Sequence, residues 1–223
     1  MNIITIDAEN CFVLYQKTES ITLPLSQTVI DEINTMRAFY KTLESKAGFA
    51  APQVGISKSI ILIEQDLFDG TPSEEPIVLV NPQWTPLSQN THIDCEGCLS
   101  VPGKIGFVER YLDVRLEALQ YHPETGDLTP ISRDYHHEFS SVLWQHEIDH
   151  LEGVVYVDKA KLVLTDEVFQ AIQYYLVHQG QWTEETSFFA GSALAYPIAQ
   201  AYQQENTLDI DDFLDKWHAQ HHH

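Results

Sequence analysis

The stretch His146-Glu147-Ile148-Asp149-His150 constrains this chain more than any other. On a helix it sets two imidazoles one turn apart on one face, with a carboxylate beside the first. The flanks predict that helix. Val142, Leu143, Ile148 and Leu151 form an apolar stripe among polar neighbours, Ser140 or Ser141 can cap the first turn, and Gly153 can take the left-handed conformation just past the end. A short amphipathic helix is therefore expected. Neutral imidazole suits zinc, iron, cobalt and nickel alike, and two histidines leave any of them short of ligands. A third ligand has to come from elsewhere in the chain.

Glu96-Gly97-Cys98-Leu99-Ser100 offers one, and Cys98 is the choice. Cys95 stands before it in Cys-x-x-Cys spacing, so a closed Cys2His2 structural site competes. The gap from Cys98 to His146 is much longer than a zinc finger's, and a purely structural site has no use for Glu147. A thioredoxin-like redox pair is weaker still, since no strand-to-helix unit of that kind follows. Cys95 then reads as a small buried hydrophobe. A third segment, Gly48-Phe49-Ala50-Ala51-Pro52-Gln53, contains Gln53, whose amide can donate to an oxyanion; taken alone, a glutamine after a proline reads as a solvated loop residue.

In this order the three segments resemble the three motifs of the peptide deformylases, enzymes that remove formate from the N-formyl-methionine of new bacterial polypeptides. The resemblance runs from about Gly48 to Lys159. It implies that Cys98, His146 and His150 hold one divalent metal with an open position for water, the catalytic rather than the structural arrangement. The implied metal is Fe(II), with zinc, nickel or cobalt able to occupy the same ligands. Glu147 would take the proton of the attacking water and pass it to the leaving amine. The Gln53 side-chain amide and the Leu99 backbone N–H would donate to the oxyanion. Gly48 and Gly97 would sit against substrate, Gly48, Ala50 and Ala51 being small enough to let its backbone run close. Arg110 matches an arginine that the family places near bound peptide; its other reading is a surface ion pair.

Some positions depart from the family pattern. Lys46 stands where a glycine is usual, Phe49 replaces a leucine and Ala47 a bulky residue, changes expected at the substrate wall. Met1 to Thr22 has no recognisable counterpart of the family's N-terminal run. The implied reaction is metal-dependent hydrolysis of an N-formyl amide on a peptide. A divergent amidase of the same fold acting on another N-acyl substrate, and a non-catalytic metal-binding deformylase-like protein, remain as alternatives.

Composition sets the outer bounds. A chain of 223 residues, 43% hydrophobic, can bury one sizeable core. No apolar run is long enough to span a bilayer, the N-terminus lacks the order of a secretory signal, and three cysteines fit a reducing compartment, so a cytoplasmic location is expected. A formal charge of −21, from 33 acidic and 12 basic side chains, repels phosphate backbones and anionic lipid. The expected partner is therefore an N-formylated peptide, with no direct nucleic-acid binding and no membrane; the sequence does not fix the oligomeric state. His221-His222-His223 has the look of an affinity-tag remnant and stays out of the metal argument.

Elsewhere, Ser26 to Leu43 predicts a helix burying Val29, Ile33, Met36, Tyr40 and Leu43. Ser59 to Glu64, Ile77 to Val80 and Asp113 to Ala118 read as strands, the last with Val114 and Leu116 inward and a turn at Pro123-Glu124-Thr125-Gly126 beyond it. Val154 to Val157 reads as a short strand, His136-His137 as a polar turn. Thr165 to His178 reads as a helix ended by Gly180, burying Val168, Ile172, Tyr175 and Leu176. The expected fold is α+β: mainly antiparallel β-sheets packed around a central metal-binding helix, with an N-terminal helix and a C-terminal helical extension. Residues 1–180 would form the catalytic domain. Residues 181–223, acidic yet rich in aromatics, would form an extension docked on it.

Overall fold

The structure is a computed structural model that describes residues 1–44, 47–205 and 209–221. Lys46 and the last two histidines lie outside those residues. The strands are β1 (Gly48–Ala50), β2 (Ile60–Ile63), β3 (Ile77–Pro86), β4 (Thr91–Cys98), β5 (Val101–Tyr111), β6 (Asp113–His122), β7 (Asp127–His136) and β8 (Leu162–Thr165). The helices are α1 (Gln27–Tyr40), α2 (Gln65–Asp69), α3 (Phe139–Leu151), α4 (Tyr156–Lys159), α5 (Asp166–His178), α6 (Phe188–Glu205) and α7 (Ile210–His221). This is the expected α+β combination of helices with antiparallel sheet.

Two compact units result. One comprises Met1–Asn90 with Tyr111–Val155, the other Thr91–Arg110 with Tyr156–His223. In the first, strands run in the order β1-β2-β3-β6-β7, each antiparallel to its neighbour. The turn at Pro123–Gly126 closes the β6–β7 hairpin, with Gly126 at φ 77° accommodating the left-handed step. Strand β3 runs past its expected end at Val80, because a register shift between Val80 and Gln83 absorbs Asn81 and Pro82 as a bulge. Ile61, Ile63, Leu79, Val114 and Leu116 pack from the sheet against Leu143, Trp144, Ile148 and Leu151 of α3. The sheet's apolar face thus fixes the position of α3.

The second unit holds the sheet β4-β5-β8, with β5 and β8 antiparallel. Phe107, Leu162 and Leu164 from its strands share one core with Phe169, Ile172 and Leu176 of α5, Ala195 and Ile198 of α6, and Phe213 and Leu214 of α7. Two expectations need correcting here. Val154 to Val157 is not a strand: the chain turns directly into α4. On α5, Phe169 is buried where Val168 and Tyr175 were expected to be.

Candidate metal centre

Helix α3 differs from its sequence-based expectation in a way that serves the site. It is not amphipathic: every residue from Ser140 to Leu151 is buried. Neither serine caps it. Glu138 holds the N-cap position without a side-chain bond, and the Ser140 hydroxyl donates to the Leu67 carbonyl at 2.6 Å. Gln145 anchors the helix sideways, accepting from the Tyr111 N–H at 3.0 Å and donating to the Tyr111 carbonyl at 2.8 Å. Just beyond that anchor, the rings of His146 and His150, themselves one turn apart, lie with centroids 5.1 Å from each other and nearly perpendicular. His150 is 1% exposed.

The helix ends where expected, at Gly153 with φ 75°. A Cβ there would lie 2.8 Å from backbone carbons of Tyr15 and Gln16, so only glycine fits. The Thr18 N–H also donates to the Leu151 carbonyl at 2.8 Å. The N-terminal segment therefore packs against the end of the histidine helix.

Cys98 ends strand β4, and the Ser100 N–H donates to its sulfur at 3.4 Å. Cys95 sits three residues earlier and so on the opposite face of the strand. Its sulfur accepts from the Ser192 hydroxyl of α6 at 3.2 Å, and burial pushes its thiol up to about 11. Turned toward Ser192, Cys95 is outside the group of donors that Cys98 joins, which disposes of the closed Cys2His2 site. Glu96, to which the sequence analysis gave no role, receives Arg110 through two hydrogen bonds, at 2.6 and 2.9 Å. Arg110 is 1% exposed. It forms a buried ion pair, not the surface pair considered above, and its guanidinium is engaged by a carboxylate two residues from Cys98. The available signal was an acid and an arginine in consecutive strands.

Gln53 is buried in a short 3-10 turn, Ala51–Val54, rather than solvated. Its Oε1 accepts from the Ala50 N–H at 2.8 Å, so the amide nitrogen is the end that can serve an oxyanion. Gly48 has a packing reason to be glycine: a Cβ there would meet the Leu62 carbonyl oxygen at 2.7 Å, within the β1–β2 pair. Phe49 belongs to the core rather than to a substrate wall. It is fully buried, stacked on Tyr40 at 6.3 Å and edge-on to Phe39 at 6.0 Å. Gly97 is exposed on β4 and Leu99 half-buried in the turn after it. Glu147 is buried; together with the larger effects of burial, Glu64 and Asp66, its charge holds the Tyr40 phenol well above its usual range.

Cys98, His146 and His150 form a group that could hold a metal ion: one sulfur and one nitrogen from each ring lie within 4.8 Å of one another. Thiolate and imidazole suit zinc and the later first-row divalent ions, and three donors leave a tetrahedral position open. The donor set fits a catalytic metal. The polypeptide deformylase family model matches residues 1–164. The chain belongs to that family. As a deformylase it is a metal-dependent hydrolase.

The family match begins at residue 1, so the resemblance drawn from Gly48 to Lys159 was too narrow and the N-terminal segment is part of the deformylase body. The peptide deformylase 2 of Coxiella burnetii is 51% identical over 201 residues, covering 89% of this chain and 96% of its own. That coverage leaves too few residues over to exclude the whole of 181–223, so part of the C-terminal segment is shared with this relative. Among solved structures, a probable peptide deformylase from Synechococcus phage S-SSM7 superposes with a TM-score of 0.56 at 30% identity, over 71% of this chain and 99% of its own. A Met-Ala-Ser-bound class I type b peptide deformylase from Acinetobacter baumannii superposes with a TM-score of 0.55 at 26% identity, over 71% of this chain and 97% of its own. No helix among the described residues is long and apolar enough to cross a membrane.

Proposed function

We propose that this deformylase hydrolyses the N-formyl amide of N-terminal formyl-methionine on nascent polypeptides, releasing formate and a free amine, with Cys98, His146 and His150 as the metal ligands. The observation that carries the reading is the approach of those three donor atoms to within 4.8 Å. A divalent ion in that set supplies Lewis acidity toward water and the formyl oxygen. Glu147, next in sequence to the first histidine, accepts the proton of the attacking water and returns it to the departing amine nitrogen. The Gln53 amide nitrogen and the Leu99 N–H donate to the oxygen that gains charge as the formyl carbon becomes tetrahedral. Gly97 lines the peptide's path. Arg110, through Glu96, steadies the strand that ends in Cys98.

Fe(II) is the native ion in this reading, with zinc, nickel and cobalt fitting the same donors, and a thiolate beside Fe(II) is open to oxidation in air. The substrate is an N-formylated peptide met in the cytoplasm, a location in keeping with three cysteines that form no disulfide. Residues 1–180 carry the chemistry and 181–223 form the extension. The alternative of an amidase for another acyl group loses one of its motives, since Phe49 belongs to the core.

The test is formate release from formyl-Met-Ala by protein purified without air, with metal content measured in parallel. Wild-type protein should release formate and prefer the formyl over the acetyl peptide. Glu147→Ala should keep its metal and lose about 10²- to 10⁴-fold in turnover. Equal rates on formyl and acetyl peptides, or unchanged turnover in the variant, would reject the proposal.

A further inference from the structure

Asp94, Glu96 and Cys98 occupy alternate positions on β4 and so share one face. Glu96 has Arg110 as its partner. Asp94 has no equivalent. It is 0% exposed, and among the described residues neither of its carboxylate oxygens has a hydrogen-bond partner. An ionised carboxylate in such a place is costly, and a neutral one much less so.

Helix α6 packs on this stretch of β4. The buried Ser192 hydroxyl accepts from the Cys95 N–H at 3.2 Å, and its single proton serves Cys95 Sγ at 3.2 Å or the Phe188 carbonyl at 3.1 Å. His92 Nε2 donates to the Phe189 carbonyl at 3.0 Å and lies 3.9 Å from Asp94 Oδ1. The groups around Asp94 are thus His92 and Glu96 on its own strand, Arg110 from β5 and Ser192 from α6. Helix α6 has no charged side chain before Glu205. Burial, the largest influence, pushes the Asp94 carboxyl from 3.8 up to about 6; among the neighbouring charges His92 and Arg110 oppose the shift and Glu96 adds to it.

The geometry points to a proton-operated latch: with a proton on Asp94 helix α6 seats firmly on strand β4, and with Asp94 ionised it loosens. The C-terminal helices then brace the strand that ends in Cys98 more firmly in mild acid than at alkaline pH. The latch itself does not depend on Cys98 being a ligand. Its sign follows from linkage. The seated form binds the proton more tightly than the released form, so seating gains strength below the seated value, is fully strengthened below about 3.8, and loses that gain as pH rises through about 6. Two pKa units bound the whole effect at about 100-fold in the seating equilibrium.

Hydrogen exchange on the full chain, corrected for the intrinsic pH dependence of exchange, reads the latch in residues 188–205 and 91–98. Wild-type protection of both segments should be about tenfold greater at pH 5 than at pH 7.5. Asp94→Asn, which keeps the shape and removes the charge, should be protected alike at both. Ser192→Ala should lower protection of residues 188–205 at both pH values while keeping the wild-type pH dependence. Should Asp94→Asn not fold, a carbon-13 titration of the Asp94 carboxyl in the wild-type chain gives the same answer, with a midpoint near 6 expected. Protection independent of pH in the wild type, a pH difference that survives in Asp94→Asn, or a midpoint near 4 would each overturn the latch.

Discussion

Helices α3 and α5 are both thirteen residues long, yet they are helices for different reasons. On α5 the local rules suffice. Thr165 caps its start by accepting from the Val168 N–H, acids fill the first turn, Phe169, Ile172 and Leu176 make one buried stripe, and Gly180 follows with φ 68°. On α3 those rules are mostly absent. No side chain caps its start, and burial extends over all of its faces. Its polar residues would each be a penalty if left without partners, and neighbouring elements answer at least Ser140 and Gln145 with backbone groups, from α2 and the end of β5. The comparison teaches that a helix built to carry buried imidazoles and a carboxylate is held by its surroundings, whereas one built only to cover a core holds itself.

The comparison breaks first at Trp144. This fully buried ring meets Tyr135 at 5.3 Å and Phe68 at 6.1 Å, and Trp144→Ala should cost about 4 kcal/mol in chemical denaturation. A loss under about 1.5 kcal/mol would mean that α3 does not depend on its packing. Next comes the cap of α5: Thr165→Ala should cost about 1 kcal/mol, while loss of a serine hydroxyl at the start of α3 should act through the Leu67 contact and not through capping. The smallest effect belongs to the outer face of α5. Tyr174 is 65% exposed, and Tyr174→Ala should change stability by no more than about 0.5 kcal/mol. A larger loss would show that this face is covered by something in solution.

What could be read in advance followed local chemistry. The spacing of His146 and His150, the turn at Gly153 and the inward side of β6 depend on 3.6- and two-residue periods and on one backbone angle, and all are found as expected. The errors have a common origin. Phe49 was placed at a wall facing substrate and is core, Arg110 was weighed as a surface cation and is buried against Glu96, and Ser140 was weighed as a cap and bonds to Leu67. In each case the deciding partners lie 9 to 73 residues away in sequence, on another element. No local pattern carries that information.

The sequence by itself determined the donor types, the one-turn interval between the imidazoles and the alternation that puts Cys95 and Cys98 on opposite faces, since these follow from covalent order and backbone period. Tertiary structure alone decided which polar side chains were to be buried and with what partner. Burial is a property of packing between distant segments, and it is burial that makes Asp94 an acid near pH 6 and turns Arg110 from a surface charge into a fastening for its strand.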